Sequence, residues 1–240
     1  MTAHSQAGDL YRRCKINASI QDVDNLNESL PVLPRLTLSY CPASARPETL
    51  ALLALDARLA GIVRSASEPM LAQIRLAWWR DLFQNPVEGW PDGEPLLASL
   101  ACWKPRKKAL AKLVDGWEAI TDEGALSVPA MDHLASSRGD AFATLASLLG
   151  AEADCKNAAR MGRNWAFADL VSRLSNAEER NAALGVARQL DWAPVRLSRK
   201  MRPLVILHGL AARNIRRGGG FDTFSPVDLL LALRLGLLGR

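Results

Sequence analysis

Along most of this chain the apolar positions return at intervals of three and four. Between residues 49 and 63, Leu52, Leu55, Leu59 and Ile62 form one such stripe, the spacing at which side chains share one face of an α-helix. Pro47 suits the first turn of that helix, and Glu48 beside it favours the positive end of the helix dipole. Ser67, followed by Glu68 and Pro69, predicts a capped start for a second helix over 70–83. Pro86, Gly89, Pro91, Gly93 and Pro95 punctuate a long loop. Helical spacing resumes over about 105–120 and 128–149, where Gly150 offers a left-handed terminator. Three more helices are expected over 152–173, 176–190 and 195–216 before Gly218-Gly-Gly220 breaks the pattern. Ser225, Pro226 and Asp228 then stand in the order of cap, first-turn proline and capping-box acid, which starts a last helix over 227–238. The polar segment 1–30, with Asp9, Asp22, Asp24 and Glu28, reads as a flexible leader, and Pro31 to Pro42 as a short lead-in. Nothing alternates with a period of two, and no fixed repeat or linker divides the chain. The expected architecture is all-α, with a leader over 1–30 and a single domain over 31–240.

Composition narrows the class. Of the 240 residues 49% are hydrophobic and 23% charged, the balance of an ordinary globule and not of a disordered or collagen-like chain. Leu and Ala outnumber Val and Ile, which favours helix over sheet. The net charge of +5 suits weak attraction to anionic lipid, nucleic acid or phosphate without choosing among them. Cys14, Cys41, Cys102 and Cys155 are too far apart for a zinc cage or redox motif and read as reduced, mostly buried thiols. His4, His133 and His208 are too scattered for a metal triad. No Gly-x-Gly-x-x-Gly, P-loop or Gly-x-Ser-x-Gly is present. The most apolar stretch, 229–238, is too short to span a bilayer and carries Arg234.

Four strings carry a resemblance. Ala51-Leu-Leu-Ala-Leu-Asp-Ala-Arg-Leu-Ala60 is followed by Gln73-Ile-Arg-Leu-Ala-Trp-Trp-Arg-Asp-Leu-Phe83, and Pro42 with Arg46 leads into the first of them. Leu113-Val-Asp-Gly116 and Gly162-Arg-Asn-Trp-Ala-Phe-Ala-Asp-Leu170 come later in the same order. Together these resemble the squalene/phytoene synthase family across nearly the whole chain. The resemblance implies an isoprenoid-synthase-like helical bundle around a central cavity. Active members of that family join two prenyl diphosphates head to head. Their paired Asp-x-x-x-Asp motifs hold Mg²⁺, because carboxylates four apart share a helix face and the ions neutralise the departing diphosphate.

The chain departs from that pattern at the acids. Aligned on these strings, Ala60 and Arg64 stand at the first Asp pair, and Arg173 and Ala177 at the second. A hard divalent ion wants anionic oxygen ligands, and two arginines repel it. The expectation is therefore no catalytic residue, no metal site and no Mg²⁺ cofactor. The string Arg75 to Asp81 and the first helix also resemble an eroded branch of the family, the mitochondrial assembly factors of respiratory complex I. That implies a non-catalytic accessory or assembly factor for a respiratory membrane complex, with complex I subunits as partners, located in the cytoplasm and peripheral at the inner membrane. A prenyltransferase using Arg in place of metal, and a protein that binds a prenyl lipid without converting it, stay open beside it.

Candidate site residues follow. Asp56 and Asp169 each lie one turn before a lost motif position, so they form with Arg64 and Arg173 either a polar-ligand site or a buried ion pair. Trp79 and Arg80, with Trp78 and Arg75, either line a ligand pocket or pack between helices. Adjacent residues point about 100° apart on a helix, so only one of the two tryptophans faces inward. From Arg196 to Arg217 there are seven Lys or Arg and no acid. Leu197, Met201, Leu204, Ala211 and Ile215 mark the apolar side of that segment, which either rests on anionic lipid or forms part of the core. The basic cluster at 103–108 reads as a solvated helix start. With no aromatic-basic interleaving, no nucleic-acid partner is expected.

Overall fold

Leu52, Leu55, Leu59 and Ile62 all turn inward, and the helix they specify is the centre of the architecture. In the computed structural model the described residues are 20–218 and 225–239. Their helices in chain order are α1 (Ile20–Ser29), α2 (Val32–Leu38), α3 (Arg46–Ser65), α4 (Pro69–Gln84), α5 (Pro95–Ser99), α6 (Lys107–Glu118), α7 (Val128–Leu148), α8 (Cys155–Arg173), α9 (Ala177–Gln189), α10 (Arg202–Arg216) and α11 (Pro226–Leu238). No strand occurs among the described residues. The all-α expectation stands.

The flexible leader expected over 1–30 gives way from Ile20 onward. Residues 20–29 are helical, with Leu26 and Leu30 buried, because two apolar side chains suffice to pin a short polar helix against α3. Residues 1–19, with His4 and Cys14, lie outside the description, as do Gly219 and Gly220. Pro31 to Pro42 contains α2, starting after Pro31, where a plain lead-in was expected. Ser67 does not cap α4: the capping position is Glu68, without a side-chain cap bond. Pro69 begins that helix with a residue that has no N–H to satisfy. Pro203 likewise delays α10, so residues 195–198 are not helical. The double signal at α11 is realised, with Ser225 accepting from the Asp228 N–H and Asp228 accepting in return.

Packing brings α3, α6, α7 and α8 together, and α7 with α8 is the most extensive pair. Their close crossing depends on glycine. A methyl group at Gly139 would stand 2.6 Å from the Ala159 carbonyl oxygen, and one at Gly162 would stand 2.8 Å from the Phe142 ring. At the α6–α7 crossing, a Cβ on Gly116 would lie 2.6 Å from that of Ser137. Real Cβ atoms do not fit at such distances, so these glycines set the spacing of the helices on which the central side chains sit.

The basic segment 196–217 resolves into core. Leu197, Met201, Leu204, Ala211 and Ile215 are all buried, so its apolar side is spent inside the domain and is not open to lipid. Trp103 is also fully buried and donates to the Glu48 carbonyl at 3.0 Å, while Lys104, Pro105 and Arg106 beside it are exposed. Cys41 and Cys102 are buried and Cys155 is half-buried. No helix among the described residues is long and apolar enough to cross a membrane.

Candidate functional site

Asp56 from α3 and Asp169 from α8 meet in the middle of the bundle, joined by a third residue. Arg138 of α7 donates from Nη2 to Asp56 Oδ2 at 2.6 Å and from Nη1 to Asp169 Oδ2 at 3.0 Å. The other oxygens are also taken. Trp117 Nε1 donates to Asp56 Oδ1 at 2.9 Å, and Arg173 Nε donates to Asp169 Oδ1 at 2.8 Å. The Arg138 guanidinium lies 4.1 Å from the Trp165 ring centroid and 5.4 Å from that of Trp117, so π faces and carboxylates enclose it together.

The electrostatics are those of a closed ion cluster. Burial pushes the Asp169 carboxyl up. The charges of Arg138 and Arg173 and the hydrogen bonds from both outweigh it and hold the group below the ordinary carboxylate value. For Arg138, burial works against the charged form, and Asp56 and Asp169 more than restore it. Two carboxylates and two guanidiniums balance, which is the condition for keeping charge out of water.

This donor set does not fit Mg²⁺. All four carboxylate oxygens face N–H donors, and a guanidinium stands between the two acids where a cation would sit. The motif positions add no ligand. Ala60 is buried in α3, Arg64 is exposed, and α8 ends at Arg173, leaving Ala177 in the first turn of α9. The second pair of positions thus no longer shares one helix face. Among the described residues no three His, Cys, Asp or Glu side chains cluster as a metal site. The space bounded by Asp56, Arg138, Phe142 and Trp165 is about 10 Å³, room for roughly one water.

Of the six residues singled out in the sequence, the structure unites Asp56, Asp169 and Arg173. Arg64 is not with them. It is exposed in the last turn of α3 and pairs with no acid among the described residues. Arg80 bonds Glu118 and lies 3.5 Å from Asp115, tying α4 to α6. Trp79 is buried and meets Trp78 edge to face at 5.1 Å between ring centroids, while Trp78 is half out in solvent. The geometric rule for adjacent residues holds. Trp79 lies at the base of a cleft of about 530 Å³ between α1, α3, α4 and α5, with Ile62, Leu96 and Leu26 as apolar walls and Arg58, Arg75 and Glu94 among its polar groups.

Arg138, Trp117 and Trp165 were not among the sequence candidates. A signal for Arg138 was present. It continues the buried stripe Met131, Leu134, Phe142 and Leu145 at spacings of three and four, a cation where the pattern calls for an apolar residue. Its partners on α3 and α8 are distant in sequence and could not be read from that spacing.

Comparison with protein families gives a match over this region: the family model described as squalene/phytoene synthase matches residues 35–190. The match takes in α3 through α9, and with them every residue of the Asp56–Arg138–Asp169 cluster. Comparisons with curated proteins and with solved structures return no match.

Proposed function

This chain belongs to the squalene/phytoene synthase family, and we propose that it is a non-catalytic member serving as an accessory or assembly factor for a respiratory membrane complex. The observation that carries the non-catalytic part is the Arg138 bridge between Asp56 and Asp169. Prenyl transfer in the metal-dependent manner needs acids free to ligate cations that neutralise a diphosphate. Here the two acids nearest the motif positions are saturated by arginine and tryptophan, and the motif positions carry Ala60, Arg64, Arg173 and Ala177. A bundle that retains its family fold and fills its centre with an ion cluster is suited to presenting surfaces. Respiratory complex I subunits are the proposed clients, in the cytoplasm at the inner membrane, by the likeness of the first helix and the Arg75 to Asp81 string to the assembly-factor branch.

Two experiments test this. Purified protein is incubated with farnesyl or geranylgeranyl diphosphate, with and without Mg²⁺. No product above a heat-killed control is expected, and turnover overturns the non-catalytic reading. Deleting the gene is expected to lower NADH:quinone oxidoreductase activity, and an unchanged complex I level overturns the assembly role.

A second reading, a carrier that binds a prenyl lipid without converting it, is favoured by the cleft beside Trp79. Its volume falls within the range of small-molecule sites and its walls are largely apolar. Under it, a prenyl alcohol raises the melting temperature of the wild-type protein, and a bulky substitution at Gly61 on the cleft wall abolishes the rise.

A further inference from the structure

Helix α11 is docked by its minor side and exposes its major one. Ala232 and Leu235 face inward. Leu235 lies against Gly209, and Tyr40 covers Gly236. The opposite arc holds Val227, Leu229, Leu230, Leu233, Leu237 and Leu238, all exposed, with Leu230 at 64% and Leu237 at 67%. An aliphatic face of this kind is unusual on a protein surrounded only by water.

Its surroundings are cationic. At the N-terminal end, Arg213 Nε bonds Asp228 Oδ1 at 2.8 Å and Arg217 Nη1 stands 3.9 Å from Oδ2, with Arg216 exposed alongside. Asp228 is the one acid of α11, and it is committed to these arginines and to Ser225. At the C-terminal end the Arg202 guanidinium lies against Gly239. Arg234 is exposed on the apolar arc itself, and a side chain of that length can lie along an apolar surface with its charge held at the polar boundary.

We propose that α11 lies flat in the headgroup boundary of an anionic bilayer, its leucine face in the acyl region and its flanking arginines on lipid phosphates. Charge complementarity selects this occupant. A second copy packed across a two-fold axis would set this cationic rim against itself. Protein interfaces also use aromatic side chains and regular hydrogen bonding to fix register, and the six exposed residues have neither. Fluid hydrocarbon needs no register, and aliphatic burial with phosphate attraction suffices for an interfacial helix. The inference deepens the membrane-side role proposed above and rests on it for the setting alone.

The test is vesicle flotation of the full chain with phosphatidylcholine alone and with phosphatidylcholine mixed with phosphatidylglycerol. Wild-type protein is expected to float with the anionic vesicles, less so in high salt, and to stay down with neutral ones. The Leu230→Asp/Leu237→Asp variant is expected to partition at least about tenfold more weakly, because two inserted side chains are lost. Arg216→Glu/Arg217→Glu is expected to remove the salt dependence, and it carries the test should the first variant melt early. Failure to float with anionic vesicles, or equal flotation with neutral ones, overturns the proposal. So does a concentration-dependent dimer that Leu230→Asp/Leu237→Asp abolishes. Complex I is measured separately: normal levels in the deletant with intact flotation refute the assembly role and leave the membrane face standing.

Discussion

Arg138 Nη2 and Asp56 Oδ2 are 2.6 Å apart, although 82 residues separate them in the chain. The same guanidinium reaches Asp169 with its other terminal nitrogen, 31 residues away in the opposite direction. One side chain thus fastens α3, α7 and α8, and its loss leaves two buried carboxylates facing each other. Arg138→Met is expected to cost about 3–5 kcal/mol, the range for breaking a buried ion pair from one side. Adding Asp56→Leu and Asp169→Leu is expected to recover most of that loss, because an apolar replacement of the whole cluster leaves no orphaned charge. Urea denaturation of the single and triple variants measures both, and a triple variant as weak as the single one would contradict the account.

The helix spacing around the cluster makes a separate prediction. Gly139→Ala places a methyl group against a backbone oxygen, which cannot swing away, and is expected to destabilise by about 1–3 kcal/mol as overpacking does. Gly185→Ala in α9 meets nothing within 4 Å. It is expected to be neutral or to stabilise by up to about 1 kcal/mol through helix propensity. Thermal melts of the two variants side by side decide it.

Adjacent tryptophans are expected to behave oppositely. Trp79 is buried and also packs against Phe83 at 5.8 Å between centroids, so Trp79→Ala is expected to cost about 3–5 kcal/mol. Trp78 is half exposed, and Trp78→Ala is expected to stay within about 1 kcal/mol, as substitutions at the surface do. The shift in denaturation midpoint is the readout.

His208 adds a dependence on pH. Burial first, and then the positive charge of Arg160, hold its imidazole down at about 4 against an ordinary value of 6.5, with Asp191 opposing and Arg216 adding to the depression. The neutral ring stacks on Trp192 at 5.1 Å between centroids and faces Asn164. As pH falls below 6.5 the unfolded chain takes up the proton first. The contribution is therefore whole above 6.5 and is lost as pH drops toward 4, amounting to about 3 kcal/mol at most. Unfolding free energy measured across this window should fall in the wild type and fall less in His208→Gln.

Helix positions were readable from residue order because an amphipathic stripe is a local property. The stripe 52, 55, 59 and 62 specifies α3 whatever lies against it, and Ser225 with Asp228 specifies the start of α11 within four residues. Where the reading missed, a neighbour in space intervened. Residues 20–29 are too polar to announce a helix and are held by Leu26 and Leu30 against the domain. For 196–217 the apolar stripe favours the core over lipid from its spacing alone, and α8 and α11 packing on α10 bear that out.

The site divides in the same manner. That Ala60, Arg64, Arg173 and Ala177 carry no carboxylate is a fact of residue identity and needs no coordinates. So is the placement of Asp56 and Asp169 one turn earlier on the helices that bear those positions. Which arginine answers them is not local. Arg173 reaches Asp169 from four residues away on its own helix, whereas Arg64 points to water and Arg138 arrives from a helix whose sequence names no partner. Charge pairing across helices depends on crossing distance, which here is set by Gly116, Gly139 and Gly162 through contacts between segments far apart in the chain. Residue order thus placed most of the helices, because an amphipathic stripe and a cap are short-range properties. The guanidinium that closes the centre, and the leucine face left outward on α11, came only from how the helices pack, because burial is a property of the assembled whole.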